Sequence, residues 1–193
     1  MNKIEMFKQE LNYIKNEKYK ENTKKLLELV PDYFFEVPAS STGKYHPSFS
    51  KGKQGLVRHT KVALKIAKDI LDLEYMSNDF NQNEKDLILI AILFNDTQKL
   101  GNPQERYTKF DHPLLAANFI EEHKNQTTFT ESEIELIKKM ISSHMGEWNT
   151  SSYSITTLPK PKSKFEFFVH MCDYLSSKKY LDVKFDDNNN IIL

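Results

Sequence analysis

The sequence predicts an all-α protein of six or seven helices, and three observations lead to that class. Apolar residues recur three and four positions apart through most of the chain, which is the period of a helix that buries one face. Several of these segments open with residue pairs that cap helix N-termini. Segments with the two-residue alternation of a strand are almost absent. Helices packed on helices are therefore the expected architecture.

The N-terminal part of the chain predicts a helix followed by a long loop. Residues 1–30 contain an amphipathic helix with Ile4, Phe7, Leu11 and Ile14 on its apolar stripe. Residues 31–55 collect Pro, Gly and Ser, which favour turns over regular structure. We expect this loop to wrap toward the helical core, residues 56–179.

Two helices open that core. The first begins near Gly55 and carries His59 on its apolar face. The second, "NEKDLILIAILF", is apolar on nearly all sides, which predicts a central helix. Asn83 is its expected N-cap, with Asp86 three residues later at N3.

Three further helices carry N-terminal signatures, and a polar tail follows them. The tail, residues 180–193, predicts a short β-hairpin around "DDNNN". The chain is interpreted as one domain, residues 1–193, since its length is typical of a single core. The signatures are Asp111 before Pro113, Thr130 with Glu133, and Ser163 with Glu166.

Composition excludes several classes of function. Lys+Arg and Asp+Glu number 27 each, so no overall field attracts long DNA or an anionic membrane. A single cysteine, Cys172, excludes an intramolecular disulfide and a zinc site with several thiolates, and it fits a reducing interior. No apolar run approaches the ~18 residues of a membrane span. We expect a cytoplasmic protein, and the oligomeric state stays open, with a homo-oligomer as one alternative.

Five ionisable side chains lie on the apolar face or at the end of a different helix each. An ionisable group placed inward needs a partner, and converging imidazoles and carboxylates suit a divalent cation. Without thiolates, Mn²⁺ is the first expectation, and Mg²⁺, Fe²⁺, Ni²⁺ or Zn²⁺ are alternatives. The predicted metal ligands are His59, Asp96, His112, His144 and Asp173.

Taken one at a time, these residues also have ordinary structural explanations. His59 could be a hydrogen-bonded core histidine. Asn95 and Asp96 could end a helix, although a carboxylate at a helix C-terminus opposes the helix dipole. His112 could be an exposed first-turn residue, and His144 could cap a helix end. A metal site accounts for all of them together.

The order of the motifs resembles the HD-domain superfamily of metal-dependent phosphohydrolases. The motifs are "RHT", "ND", "DHP", "SHMGEW" and "VHMCDYLSSK", and the resemblance covers roughly residues 45–179. It implies an HD-domain-like helical bundle and a metal-dependent phosphohydrolase or phosphodiesterase. The implied substrate is a nucleotide or a short oligonucleotide.

The resemblance also implies a role for each ligand residue. His59 corresponds to the first histidine of the family pattern, Asp96 to the aspartate of its His-Asp doublet, and Asp173 to its distal aspartate. His112 and His144 correspond to the additional histidines of the branches that bind two ions.

Residues near the ligands are implied to contact the substrate. Lys99 corresponds to a lysine that follows the doublet and faces phosphate, and it is assigned both catalytic and substrate-binding roles with Asp96 as a catalytic partner. The loop before His59 is similar to the loop of relatives that act on nucleotides or RNA ends, which makes Lys44, His46 and Arg58 substrate-binding residues. Lys99 could instead be an ordinary helix-end lysine. The three loop residues could equally have no phosphate role.

Asn95 departs from the family pattern. It occupies the position at which the family's doublet has histidine, and it is assigned a catalytic role. An amide oxygen is a weaker ligand than imidazole, so activity is expected to be weakened or lost, by natural change or by deliberate replacement. The alternative function is a non-catalytic, sponge-like nucleotide-binding protein. A helical interaction module without any site is a third hypothesis.

Overall fold

Helices make up the regular structure of the chain, whose computed structural model describes residues 2–43 and 46–192. Eight α-helices lie in those ranges, which contain no β-strand, so the all-α prediction is confirmed. Four short 3₁₀ turns connect them: Asp32–Phe35, Ser48–Ser50, Glu74–Ser77 and Lys124–Gln126. The helices are α1 (Lys3–Met6), α2 (Lys8–Leu11), α3 (Glu17–Leu29), α4 (Gly55–Leu71), α5 (Gln82–Phe94), α6 (His112–Glu122), α7 (Glu131–Ser142) and α8 (Lys164–Ser176).

Helix α5 lies at the centre of the bundle, as its apolar sequence predicts. Every residue from Asp86 to Phe94 is buried, and the helix contacts α3, α4, α7 and α8. A helix that is apolar on all sides is stable only when neighbours cover all of them. The C-terminal end of α5, at Asn95, is consequently inside the protein. No helix in the described ranges combines the length and apolar composition needed to cross a lipid bilayer.

The start of α5 differs from the prediction by two residues. Asn81, not Asn83, is the N-cap, and its side chain accepts the Glu84 N–H while the Glu84 carboxylate accepts the Asn81 N–H. Asp86, predicted at N3, lies in the second turn, where its Oδ2 accepts the N–H of Asn16 at 2.7 Å. Asp86 therefore joins the start of α3 to α5, a long-range role that local sequence does not reveal.

The other predicted caps are largely present. Thr130 and Glu133 form the predicted capping box of α7. The Ser163 side chain accepts the Glu166 N–H at the start of α8. Asp111 is the N-cap residue of α6, but its side chain makes no capping hydrogen bond. The predicted helix starts of α6, α7 and α8 are confirmed.

The N-terminal helix predicted in residues 1–30 is divided into three helices. Phe7 lies between α1 and α2, is fully buried, and stacks on Phe34 with 6.1 Å between ring centroids. The Asn16 side chain then caps α3 by accepting two backbone N–H groups. Burial of Phe7 against the following segment takes precedence over a continuous helix, because packing outweighs helix propensity.

The loop predicted in residues 31–55 extends to the first residue of α4, and residues 31–54 are called the entrance loop below. The Leu56 N–H donates to the Val37 carbonyl at 3.0 Å. A Cβ atom at Gly55 would lie 2.1 Å from the Ser50 carbonyl oxygen, so only glycine fits there. The entrance loop therefore lies directly against the first turn of α4.

The predicted C-terminal hairpin is reduced to one antiparallel bridge, between Phe185 and Ile191. Asn189 lies in the turn with φ +59°. The Asp186 carboxylate accepts the N–H groups of Asn188 and Asn190 at 2.9 and 2.8 Å. Because this side chain takes up backbone donors, paired strands do not extend from the turn.

Candidate metal centre

A cavity of about 620 Å³ lies between the entrance loop, α4, α6, α8 and the turns that follow α5 and α7. The four most buried of the predicted ligands are at most 3% exposed. The folded chain thus brings together residues that are up to 114 positions apart in sequence. All five predicted metal ligands line this cavity: His59, Asp96, His112, His144 and Asp173.

His59 in α4 presents its Nε2 atom to two carboxylates. The Ser176 hydroxyl donates to the Asp173 carbonyl at 2.7 Å, so its oxygen is free to accept from His59 Nδ1 at 3.1 Å. The tautomer with its proton on Nδ1 is the one that leaves Nε2 available to a metal ion. Nε2 lies 3.1 Å from Asp173 Oδ1, within hydrogen-bond distance, and 3.6 Å from Asp96 Oδ2.

His112 and His144 are fixed in the same tautomer by backbone carbonyl groups. His112 Nδ1 lies 2.7 Å from the Lys109 carbonyl oxygen, and His144 Nδ1 lies 2.7 Å from the Ile141 carbonyl oxygen. A carbonyl oxygen only accepts, so each Nδ1 carries the proton. The Nε2 atoms of the two rings are 3.3 Å apart and face Asp96 Oδ1 at 3.1 and 3.7 Å.

Two groups of three ligand atoms result, and Asp96 belongs to both. The first contains His59, Asp96 and Asp173, the second contains Asp96, His112 and His144, and the atoms within each group lie within 4.8 Å of one another. Asp96 Oδ1 is buried and makes no hydrogen bond with the described residues. Facing lone pairs are unfavourable unless a cation lies between them. Each group could therefore hold a divalent ion, and the preference for Mn²⁺ stays a prediction.

The protonation states also suit metal ligands. Burial opposes ionisation of Asp96, but Lys99 and the neighbouring histidines hold the pKa of its carboxyl well below the ordinary value. Burial likewise opposes ionisation of Asp173, and the adjacent His59 and His144 hold the pKa of that carboxyl below its ordinary value. Burial lowers the pKa of His144, which keeps its ring neutral at neutral pH. Ionised carboxylates and neutral imidazoles are the forms that bind metal.

Asn95 lies inside the centre, and its side chain directs the amide nitrogen, not the oxygen, toward the ligand residues. It is the C-cap residue of α5 and is 2% exposed. Its Nδ2 donates to Asp173 Oδ1 at 3.1 Å. In this orientation Asn95 holds the Asp173 carboxylate in place through a hydrogen bond and offers no lone pair to a cation.

Lys99 lines the cavity and pairs with the shared carboxylate. Its Nζ lies 2.5 Å from Asp96 Oδ2, and its side chain is 12% exposed. The ammonium group therefore contacts the same Asp96 oxygen, Oδ2, that faces His59. Contact between Lys99 and a phosphate stays a prediction.

The residues predicted to bind substrate from the entrance loop have different positions. His46 lines the cavity, and its ring meets the His59 ring edge-on with 5.1 Å between centroids. Burial lowers the pKa of His46 to about 3, so the ring is neutral. Lys44 lies outside the described residues.

Arg58 does not line the cavity, contrary to the substrate-binding prediction. Its guanidinium donates to the carbonyl oxygens of Lys51 and Lys53 at 2.9 Å each and to Asn189 Oδ1 at 2.8 Å. Successive helix residues point about 100° apart, so the neighbour of His59 faces a different side of α4. Arg58 instead joins the entrance loop to the C-terminal tail.

Ten residues that line the cavity have no role in the site predicted from sequence, and four of them carry an aromatic ring or a charge. One of the four, His170, was interpreted as surface or core. The four are Trp148, His170, Tyr174 and Lys178. His170 and Tyr174 are four residues apart in α8 and lie on one face of that helix, and Lys178 follows two residues after its end. The three-residue spacing of His170 from Asp173 is the sequence signal that could have identified His170.

The arrangement is suited to chemistry on an anion. Two ionised carboxylates and three imidazoles can bind divalent cations, and the Lys99 ammonium adds positive charge at the same wall of the cavity. Comparison of the chain with protein-family models, with curated proteins and with solved structures yields no match.

Proposed function

We propose that this chain is a metal-dependent phosphohydrolase or phosphodiesterase acting on a nucleotide or a short oligonucleotide. The observation that carries the proposal is the convergence of three Nε2 atoms and two carboxylates on the wall of an open cavity. Donor sets of this kind bind the cations that assist phosphate ester hydrolysis. The resemblance of the motif order to the HD-domain superfamily supports the same activity.

The chemistry assigns separate tasks to the residues of the centre. A divalent ion held there would supply Lewis acidity toward a phosphoryl oxygen and acidify a nearby water molecule. In the reaction a water oxygen attacks phosphorus, the ester P–O bond breaks, and the leaving oxygen takes up a proton. Lys99 offsets the negative charge that builds on the phosphoryl oxygens. Asn95 and Ser176 keep Asp173 and His59 in place.

The size and charge of the chain support a small substrate. A cavity of about 620 Å³ lies within the range of small-molecule sites. Equal numbers of acidic and basic residues, 27 each, give no general attraction for a long polyanion. Recognition therefore depends on groups inside the cavity.

A second candidate function is a protein that binds a nucleotide without cleaving it. The position of Asn95 favours this alternative, because an amide N–H faces Asp173 where the resemblance implies a ligating imidazole. Release of phosphate or of nucleoside products in the presence of Mn²⁺ separates the two functions.

The substitution Asn95→His tests the proposal most directly. We expect it to raise Mn²⁺ affinity and turnover together, by more than about tenfold, because an imidazole adds a donor next to Asp173. Isothermal titration with Mn²⁺ and product release from nucleotides, dinucleotides and phosphodiesters measure the two quantities. Asn118→His, at an exposed position of α6, is the matched control.

Two results would contradict the proposal. A folded Asn95→His protein that binds Mn²⁺ no better and hydrolyses none of these compounds would exclude the enzyme and leave the binding protein. A native protein without bound metal in elemental analysis, and without a thermal shift in Mn²⁺, Ni²⁺ or Mg²⁺, would exclude the metal centre itself.

A further inference from the structure

An aromatic shelf, formed by Trp148 and Tyr174 on the wall of the cavity, has no part in the hydrolytic chemistry. The two rings are nearly parallel, with 18° between their planes and 5.3 Å between their centroids. Trp148 is 52% exposed, although indole is the largest apolar ring available to a protein. Both rings line the same cavity as the metal-ligand side chains. A half-exposed tryptophan in such a position offers a flat surface to a ligand.

The turn after α7 fixes Trp148 close to a metal ligand. A Cβ atom at Gly146, where φ is +60°, would lie 2.1 Å from Cε1 of His170, so this ring packs directly on the turn. The His170 Nδ1–H donates to the His144 carbonyl at 2.7 Å. The backbone N–H of Trp148 donates to the Met145 carbonyl at 3.1 Å. His144 and Trp148 are thus held in one short, well-anchored segment.

Helix α8 fixes the second half of the shelf. Tyr174 directly follows the ligand residue Asp173. The Lys178 ammonium lies 3.2 Å from the centroid of the Tyr174 ring and 6.0 Å from that of Trp148. The shelf therefore stands on the same two segments as His144 and Asp173, so one ligand can contact the shelf and the centre together.

We propose that this shelf binds the nucleobase of the substrate, which stacks on the exposed indole of Trp148 while the phosphate faces Lys99 and the metal ligands. The inference rests on the proposed function and specifies its substrate as a compound with a planar heteroaromatic base. Stacking uses the π-face that every nucleobase has. The site therefore accepts purine and pyrimidine nucleotides alike and discriminates against sugar phosphates without a base.

The single tryptophan of the chain makes the shelf observable by itself. We expect adenosine 5′-monophosphate and uridine 5′-monophosphate, added in EDTA, to quench Trp148 fluorescence in a saturable way. Ribose 5-phosphate, which carries the same phosphate and sugar, leaves the fluorescence unchanged. Because no metal and no turnover are needed, this measurement is independent of hydrolysis.

Substitution of Trp148 measures the contribution of stacking. We expect Trp148→Ala to raise KM for both nucleotides by about 5- to 100-fold and to change kcat by less than about twofold. Trp148→Phe keeps most of the affinity, because a phenyl ring still stacks. Tyr153→Ala, at an aromatic residue that is 97% exposed and outside the cavity, is the control and leaves KM unchanged.

The outcomes separate the shelf from the reaction. Equal binding of ribose 5-phosphate and nucleotides, with no quenching by either nucleotide, overturns the shelf even if hydrolysis is observed. Saturable quenching by both nucleotides without any turnover supports the shelf, while the hydrolase function fails. A Trp148→Ala protein with unchanged KM for nucleotides also overturns it.

Discussion

Asp96 is the residue on which most of the centre depends, because its two carboxylate oxygens face different groups. Oδ2 faces His59 and Lys99, and Oδ1 faces His112 and His144. No other side chain of the centre belongs to both groups of ligands. A change at this one position would therefore alter both candidate ion sites.

We expect Asp96→Asn to lower Mn²⁺ affinity by more than about 100-fold, because a neutral amide replaces the shared carboxylate. The fold should persist with reduced metal-free stability, since the substitution keeps the side-chain shape but removes the ion pair with Lys99. Titration calorimetry and thermal denaturation with and without Mn²⁺ measure the effect. Asp79→Asn, at an exposed position, is the control. Unchanged stabilisation of Asp96→Asn by Mn²⁺ would mean that Asp96 is not a ligand.

Buried histidines give the metal-free protein a specific pH dependence. Burial lowers the pKa of His46 to about 3 and also lowers the pKa of His144. In the unfolded chain both rings titrate near pH ~6.5. Below that pH the unfolded chain takes up protons that the folded chain does not, so the free energy of unfolding decreases as pH falls.

For His46 alone the expected loss of unfolding free energy is about 2 kcal/mol between pH 7 and pH 5. Urea denaturation in EDTA at both pH values measures it, and His46→Gln should lose correspondingly less. His123→Gln, outside the cavity, should lose as much as the native protein. Carboxyl groups whose pKa is lowered in the folded protein do not contribute to the loss between pH 7 and pH 5. The stability that they provide is lost only below about pH 4, near their pKa in the unfolded chain. Equal losses in His46→Gln and the native protein would contradict the assignment.

At the level of elements, a buried ion pair joins α2 to α4. Lys61 Nζ lies 3.3 Å from Glu10 Oε2, and the two side chains are 0% and 1% exposed. Burial raises the pKa of Glu10 and lowers the pKa of Lys61, in each case against the opposing effect of the partner's charge. Each charge depends on the other, since an unpaired buried charge is strongly unfavourable.

We expect Lys61→Met to decrease the free energy of unfolding by about 3–5 kcal/mol, because it leaves the Glu10 carboxylate buried alone. The double variant Glu10→Leu/Lys61→Met should recover most of that loss. Urea denaturation of both variants tests the coupling, and Lys65→Met, whose partner Asp69 is exposed, is the control. If the double variant is as unstable as the single one, packing and not charge explains the effect.

At the level of the whole molecule, the fold class could be predicted because helical periodicity is a local property. A few consecutive residues are enough to recognise the apolar segment of α5 and the capping box at Thr130. The division of the N-terminal helix could not be predicted from nearby residues, because Phe7 is buried by a segment more than twenty positions away. The start of α5 was predicted two residues late although its Asn81–Glu84 capping box is local, whereas the contact of Asp86 with Asn16 could not be foreseen across 70 positions.

The centre could be predicted as a set of residues but not as a geometry. Histidine and aspartate on apolar faces indicated the ligands, because a buried ionisable group needs a partner. Sequence could not show which ring nitrogen carries the proton, since that depends on carbonyl groups such as those of Lys109 and Ile141. Arg58 lies outside the cavity lining because adjacent positions on a helix face different directions.

The sharing of Asp96 has a consequence for how the cavity fills. The two carboxylates and the Lys99 ammonium leave one net negative charge, so a first divalent ion makes the wall positive and a second meets repulsion. An incoming phosphate would remove that repulsion. By thermodynamic reciprocity the second ion and the phosphate then strengthen each other's binding. Under the proposed function, we expect the protein to respond to metal and nucleotide only when both are present, with the metal concentration setting the apparent affinity for the nucleotide.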